Sequence, residues 1–129
     1  GNGIPSQACI SANAHALARY AAICQAAGLV PIVEPEVLMD GDHTIERCQD
    51  VTEWTLRETF AALADQKVKF EEMVLKPSMV ISGKDCAKQA GLETRLIPIK
   101  DIGKRGDLCF VEFFVANQLG GELFQELER

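Results

Sequence analysis

Apolar residues near the N-terminus recur at the spacing of one helix face. They step along the chain by four and three positions: Ile10, Ala14, Leu17, Ala21 and Cys24. Pro5 suits the first turn of such a helix, and Gly28 suits the position just after its end. The pattern therefore predicts a helix over residues 5–27.

The pattern changes after Gly28 into an unbroken apolar run over residues 29–33. Such a run predicts a strand over about residues 29–34 and is typical of a strand covered on both faces in a parallel sheet. Pro31 argues against a central position for this strand, since it lacks a backbone donor. A second apolar run follows at residues 73–75 and predicts another strand over about residues 72–77.

An amphipathic helix is predicted between the two strands, over about residues 43–66. Asp42 is the expected N-cap, because it follows the turn residues at positions 40–41. The inner face consists of Ile45, Cys48, Thr52, Leu56, Phe60 and Leu63. The order strand, helix, strand is that of a βαβ unit, so the two strands should be parallel neighbours.

Composition places the 129-residue chain among ordinary globular proteins of one domain, with 47% apolar and 25% charged residues. A net charge of −6 argues against a general nucleic-acid binder. No apolar run reaches membrane-spanning length, and no secretory signal begins the sequence. Five scattered cysteines without a CxxC pair suggest reduced thiols and no structural metal. A soluble cytoplasmic protein without membrane association is expected.

Candidate chemistry lies where the two predicted strands end. Glu34 and Glu36 follow the first strand, and Lys76 follows the second. Parallel strands place their carboxyl ends on one edge, where open α/β sheets and barrels carry their active sites. A lysine beside carboxylates at that edge suggests imine formation with a ketone, with a carboxyl group moving the protons. The alternative is that Lys76 and both glutamates are solvated surface residues.

Four stretches closely resemble class I fructose-bisphosphate aldolases in order and spacing. They are ALARYA at residues 16–21, GLVPIVEPE at 28–36, DGDH at 40–43 and LKP at 75–77. The resemblance covers about residues 4–90 and is much more specific than a single short motif.

The resemblance implies that Lys76 forms the Schiff base, that Glu34 is the acid/base group and that Glu36 is a second active-site carboxylate. It also implies the reversible cleavage of fructose 1,6-bisphosphate into dihydroxyacetone phosphate and glyceraldehyde 3-phosphate. No cofactor or metal is expected. The implied fold is a (β/α)₈ barrel, usually assembled into homo-oligomers. Ser78 stands where the family usually has asparagine.

Length is the main departure from the family, because a (β/α)₈ barrel needs about 250 residues. We therefore expect one partial aldolase-like α/β domain over residues 1–129, a partial TIM barrel built on the parallel βαβ unit. Residues 91–129 diverge from the family, with strands predicted near 96–99 and 108–115 and a helix near 122–129. The alternatives are a non-enzymatic βαβ fragment that acts only through self-association, and a different Schiff-base lyase on a smaller scaffold.

Overall fold

The computed structural model describes residues 3–89, which form two helices and a two-stranded sheet. Helix α1 spans Gln7–Ala26, strand β1 Ile32–Val33, helix α2 Ile45–Asp65 and strand β2 Val74–Leu75. A short 3₁₀ turn at Phe70–Glu72 leads into β2. The strands and the helix predicted beyond residue 90 lie outside the described residues.

The two strands pair in parallel, as the βαβ order predicts. Ile32 lies opposite Val74, and Val33 lies opposite Leu75. Backbone bonds extend this pairing at both ends, because the Val74 amide donates to the Pro31 carbonyl and the Lys76 amide to the Val33 carbonyl, each at 2.9 Å. The carboxyl ends of β1 and β2 therefore lie side by side.

Each helix begins at a hydroxyl cap. The Ser6 hydroxyl accepts a hydrogen bond from the Cys9 amide, so α1 starts at Gln7. Pro5 therefore precedes the helix and does not lie in its first turn, although the sequence pattern predicted that position. Thr44 caps α2 in the same way, by accepting from the Arg47 amide at 3.3 Å. The expectation that Asp42 caps this helix was wrong, because a cap directly precedes the first helical residue.

The core lies where α1, α2 and one face of the sheet meet. Small alanines on α1 allow close approach to α2, and Val33 of β1 is fully buried beside them. This cluster consists of Ala14, Ala18, Ala21, Val33, Ala62, Leu63 and Val68. The residues predicted for the inner face of α2 are all buried except Phe60, which is half-buried. The Phe60 ring packs edge-on against Phe70, with ring centroids 5.7 Å apart. The predicted helix faces are therefore the packed ones.

The opposite face of the sheet is open among the described residues. Ile32 is 53% exposed and Val74 is 49% exposed, whereas Val33 is fully buried. Successive side chains of a strand point to opposite faces, so Val33 packs on the helices and Ile32 faces away from them. The expectation of a strand covered on both faces was thus wrong for residues 3–89. Neither helix in this part of the chain is long and apolar enough to cross a bilayer.

Candidate active site

Glu34 and Lys76 occupy the first positions after β1 and β2. The backbone bond from the Lys76 amide to Val33 carries the parallel pairing one residue past β2. Because side chains two positions apart share a face, Glu34 is in register with Ile32, and Lys76 is in register with Val74. The candidate site is therefore continuous with the open face of the sheet and lies away from the helical core.

The structure brings the predicted lysine and glutamate into direct contact. The Lys76 Nζ donates a hydrogen bond to Glu34 Oε1, and the two groups also form an ion pair. Both side chains are accessible, with exposed fractions of 63% for Lys76 and 41% for Glu34. A ligand can therefore reach the amine and the carboxylate from solvent.

Glu34 controls the protonation of Lys76. The hydrogen bond that Lys76 donates to the Glu34 carboxylate raises the pKa of Lys76, and Coulomb attraction to the same carboxylate raises it further. Partial desolvation opposes the increase in pKa, and the charge of Glu36 supports it as the smallest cause. The Glu34 carboxylate thus favours the ammonium form of Lys76.

Glu36 lies close to the pair and acts on it only at a distance. Its backbone amide donates to the Glu34 carbonyl at 3.0 Å, which folds residues 34–36 into a tight turn beyond β1. Within residues 3–89, no lysine or arginine forms an ion pair with the Glu36 carboxylate. The structure therefore joins Glu34 to Lys76, and Glu36 contributes through its charge.

One contact at the site follows from no pattern in the sequence. The Val37 amide donates to the Ser78 hydroxyl at 2.9 Å, which ties the turn after Glu34 to the loop after Lys76. In the sequence, Ser78 stands out only as a departure from asparagine. Nothing in the sequence pairs Ser78 with Val37, because the bond depends on the path of two loops that lie 41 positions apart.

A second set of backbone bonds holds the loop that follows the site. The amides of Gly83, Lys84 and Asp85 donate to carbonyl groups of residues 39–43 at 2.8–2.9 Å. Lys84 and Asp40 also form an ion pair at 3.0 Å. This loop pairing closes the βαβ unit beside the candidate site without touching Lys76.

Metal ligation has no support in the part of the chain from residue 3 to residue 89. No group of three or more histidine, cysteine, aspartate or glutamate residues lies close enough there to hold a metal ion. The cysteines of this region are free thiols: Cys9, Cys24, Cys48 and Cys86.

Comparison with known proteins connects this geometry with one family. The class-I fructose-bisphosphate aldolase family model matches residues 1–96. A probable fructose-bisphosphate aldolase class 1 of Xanthomonas campestris pv. campestris is 66% identical over 93 residues, covering 72% of this chain and 28% of that protein. A fructose-bisphosphate aldolase of Dictyostelium discoideum is 57% identical over 89 residues, or 69% of this chain and 25% of its own length.

A solved structure agrees with the sequence comparisons. It is a fructose-bisphosphate aldolase of Plasmodium falciparum in complex with TRAP and a small-molecule inhibitor. The TM-score is 0.70 at 44% identity, and the match covers 71% of this chain and 26% of that one. The chain thus spans roughly a quarter of the length of the proteins it matches. It belongs to the class I fructose-bisphosphate aldolase family.

Proposed function

We propose that the chain carries the Schiff-base part of a fructose-bisphosphate aldolase active site. The reaction is the reversible cleavage of fructose 1,6-bisphosphate to dihydroxyacetone phosphate and glyceraldehyde 3-phosphate. The observation that carries the proposal is the Lys76–Glu34 contact at the ends of two parallel strands. Family membership supports the substrate class, a sugar phosphate.

The chemistry begins with proton transfer from the Lys76 ammonium to the Glu34 carboxylate. The neutral Lys76 amine then attacks the ketone carbon of the substrate, and the amine proton passes to the carbonyl oxygen to give a carbinolamine. The Glu34 carboxyl group returns its proton to the carbinolamine hydroxyl, which leaves as water. The resulting iminium ion accepts the electron pair of the C3–C4 bond as that bond breaks, which leaves an enamine on Lys76. The C4 hydroxyl passes its proton to the Glu34 carboxylate and becomes the aldehyde of glyceraldehyde 3-phosphate.

Glu36 has a supporting role in this mechanism. Its carboxylate adds negative potential near Lys76 and would favour the cationic iminium over the neutral carbinolamine. Because Glu36 does not touch the amine, its contribution is smaller than that of Glu34. The same ranking follows from the causes of the raised pKa of Lys76.

The surrounding fold is, in this proposal, one arc of a (β/α)₈ barrel within a single domain over residues 1–129. The parallel strands with helices packed on one face support this arrangement, because barrel strands carry their helices on the outer side. The open face with Ile32 and Val74 would then be the barrel interior. The glycolytic family supports a cytoplasmic location.

Self-association is a second proposal and concerns the open face of the sheet. Ile32 and Val74 are half exposed there, and the edges of the two-stranded sheet are unpaired among the described residues. Exposed apolar faces and strand edges favour contact with a further chain. We therefore expect homo-oligomers of the 129-residue chain.

The test of the enzymatic proposal is to trap the imine. Dihydroxyacetone phosphate and borohydride should leave a reduced adduct on Lys76, identified by peptide mass. Lys76→Met should abolish the adduct. Lys84→Met is the matched control and should not abolish it, because Lys84 is likewise exposed and paired with a carboxylate but contacts Asp40 instead of Glu34. An adduct that survives Lys76→Met, or no adduct on folded protein, would contradict the proposal. Cleavage turnover should be undetectable, because the chain spans only about a quarter of the length of the aldolases it matches.

A further inference from the structure

Three hydrogen bonds join residues 33–37, which include Glu34, to residues 76–78, which include Lys76. The first is the backbone bond from the Lys76 amide to Val33, and the second is the contact between the two reactive side chains. The third lies beyond both reactive groups, where the Val37 amide donates to the Ser78 hydroxyl at 2.9 Å. Ser78 is thus the side chain that links the two segments on the far side of the reactive pair.

The turn between Glu34 and Val37 is hydrogen-bonded at both of its ends. Its near end is fixed by β1 and by the Glu36 amide, which donates to the Glu34 carbonyl. Its far end is fixed at Val37 by Ser78, and Pro35 is buried between the two ends. Lys76 is the only side chain within residues 3–89 that bonds the Glu34 carboxylate, so the turn itself must define where that carboxylate lies.

We infer that Ser78 is a positioning residue whose hydroxyl anchors the turn at residues 34–37 to the Lys76 strand end, and so holds Glu34 within proton-transfer distance of Lys76. The inference rests on the proposed function, because that distance matters only if the two groups exchange a proton. General acid–base catalysis requires direct hydrogen-bond reach, and small displacements of a catalytic group have large effects on rate.

The properties of the hydroxyl suit this role. A serine oxygen accepts from a backbone amide while its short side chain keeps the two loops close. Asparagine, which the resemblance to the family implies for this position, also offers a side-chain oxygen that accepts from an amide. The substitution of serine for asparagine thus preserves an acceptor.

A matched pair of variants tests the inference. Threonine and valine have nearly the same shape, but only threonine has a hydroxyl, so Ser78→Thr should keep the anchor and Ser78→Val should remove it. Ser78→Asn should also keep it. The first readout is the pH dependence of Lys76 acylation by acetic anhydride, followed by peptide mass. Lys69 is the internal reference, since it pairs with Glu72 at 2.8 Å, away from Ser78.

The inference predicts that Ser78→Val lowers the midpoint of the Lys76 profile toward that of an ordinary lysine. The Lys69 profile should not move in any variant. Trapping of the dihydroxyacetone phosphate adduct should also become roughly tenfold slower in Ser78→Val, the effect of losing one well-placed hydrogen bond. Ser78→Thr and Ser78→Asn should retain both the midpoint and the rate.

Equal midpoints in the Thr and Val variants would overturn the inference. If the unaltered chain forms no adduct, the proposed function fails, but the midpoint comparison still decides the role of Ser78. Amide hydrogen exchange in the unaltered chain gives a check that needs no variant. Slow exchange of the Val37 amide proton supports the anchor, whereas exchange at the rate of an unstructured peptide overturns it. Because this measurement uses the unaltered chain, it decides the question even if Ser78→Val fails to fold.

Discussion

Lys76 and Glu34 stand 42 positions apart in the chain, and the lysine amine donates directly to the glutamate carboxylate. The helix α2 accounts for this separation, because a parallel pair of strands requires a crossover between them. The register of β1 and β2 then brings the positions that follow Val33 and Leu75 side by side. The chemistry of the site thus depends on a crossover that contributes no reactive group of its own.

Replacement of Glu34 should affect the rate of imine formation more than replacement of Glu36. Glu34→Gln removes the acid that dehydrates the carbinolamine, and we expect trapping to be slower by about 10²–10⁴-fold. Glu36→Gln removes only a nearby charge and should slow trapping much less. Quench times of the borohydride reaction give both rates. Equal losses in the two variants would contradict the assignment of Glu34 as the acid/base group.

The pH dependence of the amine follows from the raised pKa of Lys76. Only the neutral amine reacts, so acylation of Lys76 should increase with pH around a midpoint above that of an ordinary lysine. Glu34→Gln removes the principal cause of the increase and should lower the midpoint. The reaction profile of Lys69, whose pKa is raised by Glu72, serves as the control and should stay unchanged.

The same pair has a defined effect on stability. A pKa that is higher in the folded state than in the unfolded state stabilises the fold at pH values below the unfolded value. The contribution of the Lys76–Glu34 pair is therefore lost as pH increases through the folded pKa of Lys76. Because both side chains are well exposed, this contribution should be small and reduced by salt.

Gly83 should tolerate no side chain. A Cβ at this position would overlap the Gly41 carbonyl oxygen and would lie 2.8 Å from the carbonyl carbon. The backbone must therefore shift, so we expect Gly83→Ala to lower the free energy of unfolding by about 1–3 kcal/mol. Lys84→Ala is the neighbouring control and should cost about 0.2–1 kcal/mol, since it removes only an exposed ion pair. Urea unfolding midpoints would compare them.

Sequence patterns predicted the helices well, because burial on one face determines a helix period. The strands predicted over residues 29–34 and 72–77 are shorter in the structure, at Ile32–Val33 and Val74–Leu75. The helices predicted over residues 5–27 and 43–66 span Gln7–Ala26 and Ile45–Asp65. The parallel pairing was equally predictable, since the βαβ order leaves little choice of topology. It followed that Glu34 and Lys76 would lie close together, and the structure confirms this proximity.

Features that depend on long-range contacts could not be derived in this way. The exposure of Ile32 depends on which elements cover the second face of the sheet, and a local apolar run carries no such information. The Val37–Ser78 bond depends on the path of two loops that lie 41 positions apart. Choice of cap was also beyond the pattern, because Asp42 and Thr44 are both good capping residues and only the backbone path selects Thr44.

Self-association through the open face of the sheet gives the last prediction. A charge on this face should weaken association, because a lysine in an apolar contact would have to lose its hydration. Burial of an isoleucine or valine contributes about 1.5–3 kcal/mol, so Ile32→Lys should weaken association at least tenfold. Leu38→Lys is the matched control, since Leu38 is 63% exposed but lies outside the two strands.

Sedimentation at micromolar concentration measures the effect. The unaltered chain should sediment as a species larger than its 14.1 kDa monomer, and so should Leu38→Lys. Ile32→Lys should shift the sedimentation distribution toward the monomer. It should not lower the melting temperature of the protein, because Ile32 lies outside the core formed by α1, α2 and Val33. A compact, cooperatively melting monomer of the unaltered chain would refute the prediction. In that case, Ile32 and Val74 would have to be covered within a single chain.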